Sequence, residues 1–174
     1  ALADALAYAH RHGVVHRDVK PENIYLDEGR ALLTDFGIAK AVDAAAPGGN
    51  AAATTAGTVI GTVAYMSPEQ AAGSGDLDGR SDLYALACVL YETLAGQPPF
   101  TGPTAHAIMA RHSLDSVPRL KIVRDAIPDD LEAVIDRALE KVPADRYQTA
   151  AQFAQDLAAA STGTVSRVTA ARRR

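Results

Sequence analysis

The stretch that decides the reading is His16-Arg17-Asp18-Val19-Lys20-Pro21-Glu22-Asn23, followed twelve residues beyond Asn23 by Asp35-Phe36-Gly37. Between them lie Ile24-Tyr25-Leu26, a turn at Asp27-Glu28-Gly29, and Ala31-Leu32-Leu33. Two short apolar runs around a glycine-bearing turn predict a β-hairpin. That hairpin returns Asp35 to the place where the first stretch ends. Outward from this centre the chain is helical. Leu2, Leu6 and Ala9 share one helical face, and His12-Gly13 forms a stop. This first helix has no N-cap, so the chain is expected to begin mid-helix. From Ser81 to Leu94, apolar residues wrap so widely that a buried central helix is expected. Residues 104–112 read as a short helix. Residues 129–141 are amphipathic through Leu131, Val134, Ile135, Ala138 and Leu139. A capping box at Thr149 and Gln152 opens a last helix carrying Phe153 and Leu157. Residues 41–57, rich in Ala, Gly and Thr, are expected to bury little and be mobile.

Composition narrows the class. At 174 residues with 48% hydrophobic content the chain can bury one core. A net charge of -4 argues against nonspecific nucleic-acid binding. The single Cys88 cannot form an internal disulfide, and no apolar run is long enough to span a bilayer. The default is a cytoplasmic globular domain.

The chemistry-bearing residues fall in four ordered clusters. After the two above come Gly61-Thr62-Val63-Ala64-Tyr65-Met66-Ser67-Pro68-Glu69, then Asp82 paired with Arg146. Moving a phosphoryl group from ATP to a hydroxyl needs cations, oxygen ligands to hold them, and a carboxylate near the attacking hydroxyl. Asp18, with an ammonium two residues on and an amide five residues on, supplies the first set. Asp35 supplies a second carboxylate, and Gly37 lets the chain turn away sharply.

At these residues the sequence resembles the protein-kinase family, in its bacterial, Hanks-type serine/threonine branch, from residue 1 to about residue 160. His-Arg-Asp-x-Lys-x-x-Asn fixes five positions, which chance supplies about once in several million starts. Three further motifs in the right order leave little room for coincidence. The resemblance implies an α+β, predominantly α-helical fold: the C-terminal lobe of the catalytic domain, with a small hairpin bearing the catalytic and metal-binding loops. It implies an activation segment at 35–69 and a polar, basic tail at 161–174. By carry-over, Asp18 accepts or orients the substrate hydroxyl proton and Lys20 contacts the γ-phosphate. Asn23 and Asp35 hold Mg²⁺, with Asp35 bridging metals and phosphates. His16 braces the Phe36-Gly37 region, Glu69 pairs with Arg146, and Asp82 anchors the catalytic-loop amides. Thr62 and Lys20 favour Ser/Thr over Tyr substrates. Thr54, Thr55 and Thr58 are candidates for autophosphorylation, with Arg17 as the receiving cation.

The implied cofactors are ATP and Mg²⁺, and the implied partners are Ser/Thr-bearing proteins. The glycine-rich loop, strand lysine and hinge of an N-terminal lobe are absent, so that lobe is a further expected partner and the isolated chain is expected to transfer phosphate poorly. Two other classes compete: a non-catalytic partner-binding module using the groove around 97–112, and a small-molecule phosphotransferase. The intact Asp18, Lys20, Asn23 and Asp35 argue against the first, and the Glu69/Arg146 pairing against the second. A zinc site on His10, His12 and His16 has no suitable spacing, and Cys88 reads as a core residue. Arg172-Arg173-Arg174 reads equally as a solvated tail or as the cytoplasmic flank of a downstream membrane anchor.

Overall fold

The computed structural model describes residues 1–36 and 63–161. The expectations on Gly37, Thr54, Thr55, Thr58, Gly61 and Thr62, on mobility at 41–57, and on the tail from residue 162 lie outside the described residues.

The fold is built around a helix that has no solvent-facing side over most of its length. This helix, α3 (Gly79–Ala95), follows α1 (Leu2–Arg11) and α2 (Pro68–Ala71). Every residue from Ser81 to Val89 is buried. Asp78 caps its start by accepting from the Arg80 amide at 2.9 Å. Gly96, at φ 81, ends it in the left-handed conformation that glycine adopts without a Cβ penalty.

Around α3 pack α1, α5 (Leu120–Val123), α6 (Asp129–Ala138) and α7 (Ala150–Ser161). Leu6, Leu83, Leu86, Ile135, Leu139 and Phe153 meet in that core with almost no exposure. Each such side chain contributes about 1.5–3 kcal/mol by leaving water. The predicted hydrophobic stripes therefore became packing faces.

Several boundaries differ from the sequence expectation, for local reasons. α4 runs Ala105–Leu114, capped by Thr104 Oγ1 on the Ala107 amide at 3.1 Å. α6 stops at Ala138 rather than 141, because Arg146 takes the Glu140 carbonyl at 2.7 Å and the Lys141 carbonyl at 3.0 Å. At α7 the Thr149 hydroxyl accepts from the Gln152 amide at 3.2 Å. α1 ends with Gly13 at φ 74, as the stop signal implied.

The hairpin pairs β1 (Ile24–Asp27) with antiparallel β2 (Arg30–Leu33), in register Ile24↔Leu33 to Asp27↔Arg30. Its two-residue turn has positive φ at both Glu28 (45°) and Gly29 (78°). That is the primed turn whose twist matches the strands. The register fixes Asn23 and Thr34 at the hairpin's open end, where the Thr34 amide donates to the Asn23 carbonyl at 2.9 Å.

Candidate active site

The loop entering the hairpin is held from below by one buried carboxylate. Asp82, on the first turn of α3, is 1% exposed. Its Oδ2 accepts from the His16 amide at 2.8 Å and its Oδ1 from the Arg17 amide at 2.7 Å. His10 Nε2, reaching from α1, lies 2.8 Å from Oδ2. The His10 ring lies over Gly79, where an added Cβ would come within 2.5 Å of it. With both amides fixed, Arg17 is held at φ 66, a conformation that costs a non-glycine residue on the order of 1–3 kcal/mol.

His16 ties this loop to the far strand. The Asp18 amide donates to its Nδ1 at 3.2 Å, which leaves the ring proton on Nε2, 2.9 Å from the Thr34 carbonyl. The ring is fully buried and tilts against Phe36, with centroids 4.5 Å apart. One imidazole thus spans the residue before Asp35 and the backbone of Asp18. Asp35 itself sits at φ 57, exposed, with the Thr34 hydroxyl 3.4 Å from its Oδ2.

Two chemistry-bearing groups, Lys20 and Asn23, converge on Asp18. Lys20 Nζ lies 2.8 Å from Asp18 Oδ2. The Asn23 amide nitrogen donates to the Asp18 carbonyl at 2.8 Å and reaches its Oδ2 at 3.3 Å. This turns the Asn23 amide oxygen away from Asp18. Val19, 2% exposed, pins the loop between them into the core. A narrow crevice beside Asp18 is lined by Arg17, Tyr65, Met66 and Gln70.

The opposite wall is fastened by an ion pair. Arg146 gives Nη1 and Nη2 to the two Glu69 oxygens, each at 2.7 Å. Its remaining donors reach the carbonyls of Glu140, Lys141 and Arg80, so a fully buried guanidinium has every N–H engaged. Ser81 donates to Glu69 Oε1 at 2.6 Å. Burial alone would raise the Glu69 carboxyl, but the Arg146 and Ser81 hydrogen bonds and the Arg146 charge hold it below the usual carboxylate range.

Five contacts escaped the sequence reading. Ser67 and Gln70 form a full capping box on α2, and Gln70 Nε2 also donates to the Arg17 carbonyl at 2.9 Å. Tyr65 donates to Glu92 at 2.6 Å, and burial together with that bond raises its phenol far above the ordinary value. His10 on Asp82 is the fourth, and Ser81 on Glu69 the fifth. Only the Ser67–Gln70 spacing carried a local signal.

As for metals, no cluster of three or more His, Cys, Asp or Glu side chains suited to an ion occurs among the described residues. His10, His12 and His16 are engaged separately, by Asp82, the Tyr8 carbonyl and the Thr34 carbonyl. The Asn23 amide oxygen and the Asp35 carboxylate are hard donors on loops joined at the hairpin's open end. A pair of such oxygens fits Mg²⁺, which keeps phosphate and water oxygens for its other positions.

The chain matches the model of the protein kinase domain family over residues 1–157. It is 48% identical over 155 residues to serine/threonine-protein kinase PknB of Mycolicibacterium smegmatis, covering 88% of this chain and 24% of that protein. A probable serine/threonine-protein kinase of Corynebacterium efficiens is 44% identical over 171 residues, covering 95% of this chain and 25% of the relative. The chain thus spans about a quarter of the length of these curated relatives. Among solved structures, the Mycobacterium tuberculosis PknI kinase domain superposes with a TM-score of 0.64 at 35% identity, over 92% of this chain and 52% of that one. The lobe described here therefore corresponds to about half of a kinase domain, and the chain belongs to the protein kinase family, among its bacterial serine/threonine members.

Proposed function

We propose that this lobe transfers the γ-phosphoryl group of ATP to serine and threonine hydroxyls of proteins. The observation that carries the reading is the convergence of Lys20 and Asn23 on the Asp18 carboxylate, at 2.8 and 3.3 Å. Asp18 is the carboxylate that orients the substrate hydroxyl and takes its proton as the new bond forms. Lys20, already paired with it, balances the negative charge gathering on the phosphoryl oxygens. Asn23 and Asp35 are the residues that would hold Mg²⁺, which supplies charge neutralisation on the phosphates when bound.

The exposed apolar groups Val14, Tyr25, Leu26 and Leu32 surround the hairpin and are the surface a small N-terminal lobe would cover. Arg17 is the proposed receiver for phosphate on Thr54, Thr55 or Thr58, an autophosphorylation that would order the activation segment. No helix among the described residues is long and apolar enough to cross a membrane. Attachment to the inner face of the plasma membrane would have to come from outside them.

The test joins this chain to the small lobe of the M. smegmatis relative and supplies Mg·ATP and a Ser/Thr peptide. Phosphate on the peptide, lost in Asp18→Asn, is the expected result. A folded chimera that transfers nothing overturns the reading. The chain alone, mapped by mass spectrometry at Thr54, Thr55 and Thr58, is expected to transfer poorly.

A further inference from the structure

Arg17 stands in the left-handed region at φ 66, and a residue held there relaxes by turning one of its two flanking peptide planes. The plane before it, between His16 and Arg17, is pinned by Asp82, which accepts from the Arg17 amide at 2.7 Å. The plane after it joins Arg17 to Asp18, so it sets the direction in which the Asp18 side chain leaves the backbone. Both polar groups of that second plane are held. The Asp18 amide donates to His16 Nδ1 at 3.2 Å, and the Arg17 carbonyl accepts from Gln70 Nε2 at 2.9 Å.

Gln70 reaches this carbonyl from α2, 53 residues further along the chain. Its amide is oriented by the chemistry at both ends. Oε1 accepts from the Ser67 amide and from the Ser67 hydroxyl, each at 3.1 Å. A backbone N–H can only donate and a carbonyl can only accept, so exchanging the O and N of Gln70 would break both contacts. Ser67 is fully buried, which fixes the far end of the amide in the protein interior. The helix beneath is fixed as well. Glu69, one residue earlier, accepts from Arg146 Nη1 and Nη2 at 2.7 Å each. Neighbouring residues on a helix point about 100° apart, so Glu69 fastens α2 to the lobe while Gln70 turns to the loop.

A helix cap explains only half of this arrangement. In a capping box the third residue accepts from the cap's backbone amide, and Glu serves there as well as Gln. The bond to the Arg17 carbonyl needs a donor, which an ionised Glu does not have. We infer that Gln70 is a positioning residue for Asp18: its side-chain N–H fixes the Arg17–Asp18 peptide from the side opposite Asp82 and so aims the Asp18 carboxylate. The inference rests on the kinase reading for its purpose, since aiming matters only if Asp18 meets a substrate hydroxyl. The hold on the loop needs no activity. Misplacement of a reacting group by about 1 Å can cost a hundredfold in rate, so one peptide plane is enough to matter.

Gln70→Glu separates the two roles, because it keeps the capping box and removes the donor. In the chimera with the small lobe, kcat for the Ser/Thr peptide is expected to fall about thirtyfold, with KM for peptide and for ATP within about twofold. In the 174-residue chain, Asp18 amide exchange is expected to speed up about tenfold while amides in the middle of α3 hold. An unchanged kcat overturns the inference, and so does a loss matched by faster exchange throughout the chain, which a purely structural role would give. Should Gln70→Glu not fold, Gln70→Met, which removes the donor without adding charge, is read by the same split between kcat and KM. The unmutated labelled chain gives a further check by NMR. A scalar coupling across the hydrogen bond, from the Gln70 side-chain nitrogen to the Arg17 carbonyl carbon, is expected. Its absence, where backbone couplings within α3 are seen, overturns the inference. A chimera that transfers nothing sinks the kinase reading, and the exchange and coupling measurements still decide whether Gln70 holds the loop.

Discussion

The charges around Asp18 and those around Asp82 are built in opposite ways. Asp18 and Lys20 keep about a fifth of their side chains exposed, and Asp35 is open to solvent. Asp82 and Arg146 are each 1% exposed, with every N–H of the guanidinium fork engaged. The upper set is held in position yet left with capacity: Asn23 has an amide oxygen turned away from Asp18, and Asp35 an exposed carboxylate whose Oδ2 lies 3.4 Å from the Thr34 hydroxyl. The lower set has no capacity left. Desolvated charges are tolerated there because each is matched, and they hold the strained backbone at Arg17 that a looser base would let relax. The molecule thus separates groups that must stay available from groups that must stay put.

Breaking the lower set should therefore cost stability, and breaking the upper set should cost activity. Arg146→Ala leaves the buried Glu69 charge with only the Ser81 hydroxyl, removes a donor from three carbonyls, and should lower unfolding free energy by about 4 kcal/mol, read by urea denaturation. Asp82→Asn keeps one acceptor but loses the charge that serves the His16 and Arg17 amides. A loss of about 2 kcal/mol is expected in the same assay.

Glu69→Gln sharpens the division through pH. The Glu69 carboxyl is held below the usual range in the folded chain, so its contribution is full above that range. It shrinks as pH falls toward the lowered value and is gone beneath it. The stability gap between unmutated chain and Glu69→Gln should follow that course in unfolding at stepped pH; a gap independent of pH would mean the charge of Glu69 is idle. Asp18→Asn is the smallest effect on stability, within about 1 kcal/mol, because its partner Lys20 is part-exposed. Phosphate transfer by the chimera should nevertheless fall at least a hundredfold. If Asp18→Asn unfolds the chain as readily as Arg146→Ala, the separation of the two sets is wrong.

The sequence reached the upper set more easily than the lower one. Asp18, Lys20 and Asn23 lie within six residues, and a hairpin of known length returns Asp35, so local geometry alone juxtaposes them. Helix faces were legible for the same reason, since Leu131, Val134, Ile135 and Ala138 repeat at the helical period. Asp82 and the Glu69/Arg146 pair were named through resemblance and not through spacing. Contacts with neither aid were missed: His10 on Asp82 spans 72 residues, Tyr65 on Glu92 spans 27, and Gln70 on Arg17 spans 53. Such pairs depend on how helices cross, and no periodicity along one helix encodes a crossing.

The reach of Asp82 has a consequence for the order in which the protein is made. The carboxylate that sets the loop lies 66 residues after His16 and 65 after Arg17, and Glu69 waits a further 77 residues for Arg146. A ribosome adding about 5–20 residues per second leaves the Asp18 loop without its anchor for several seconds after that loop emerges. Throughout that interval the nascent chain carries every residue of the phosphotransfer motif without the backbone that arranges them. The loop's anchor thus arrives late, with α3, and the Glu69 clamp later still, with the C-terminal third of the lobe.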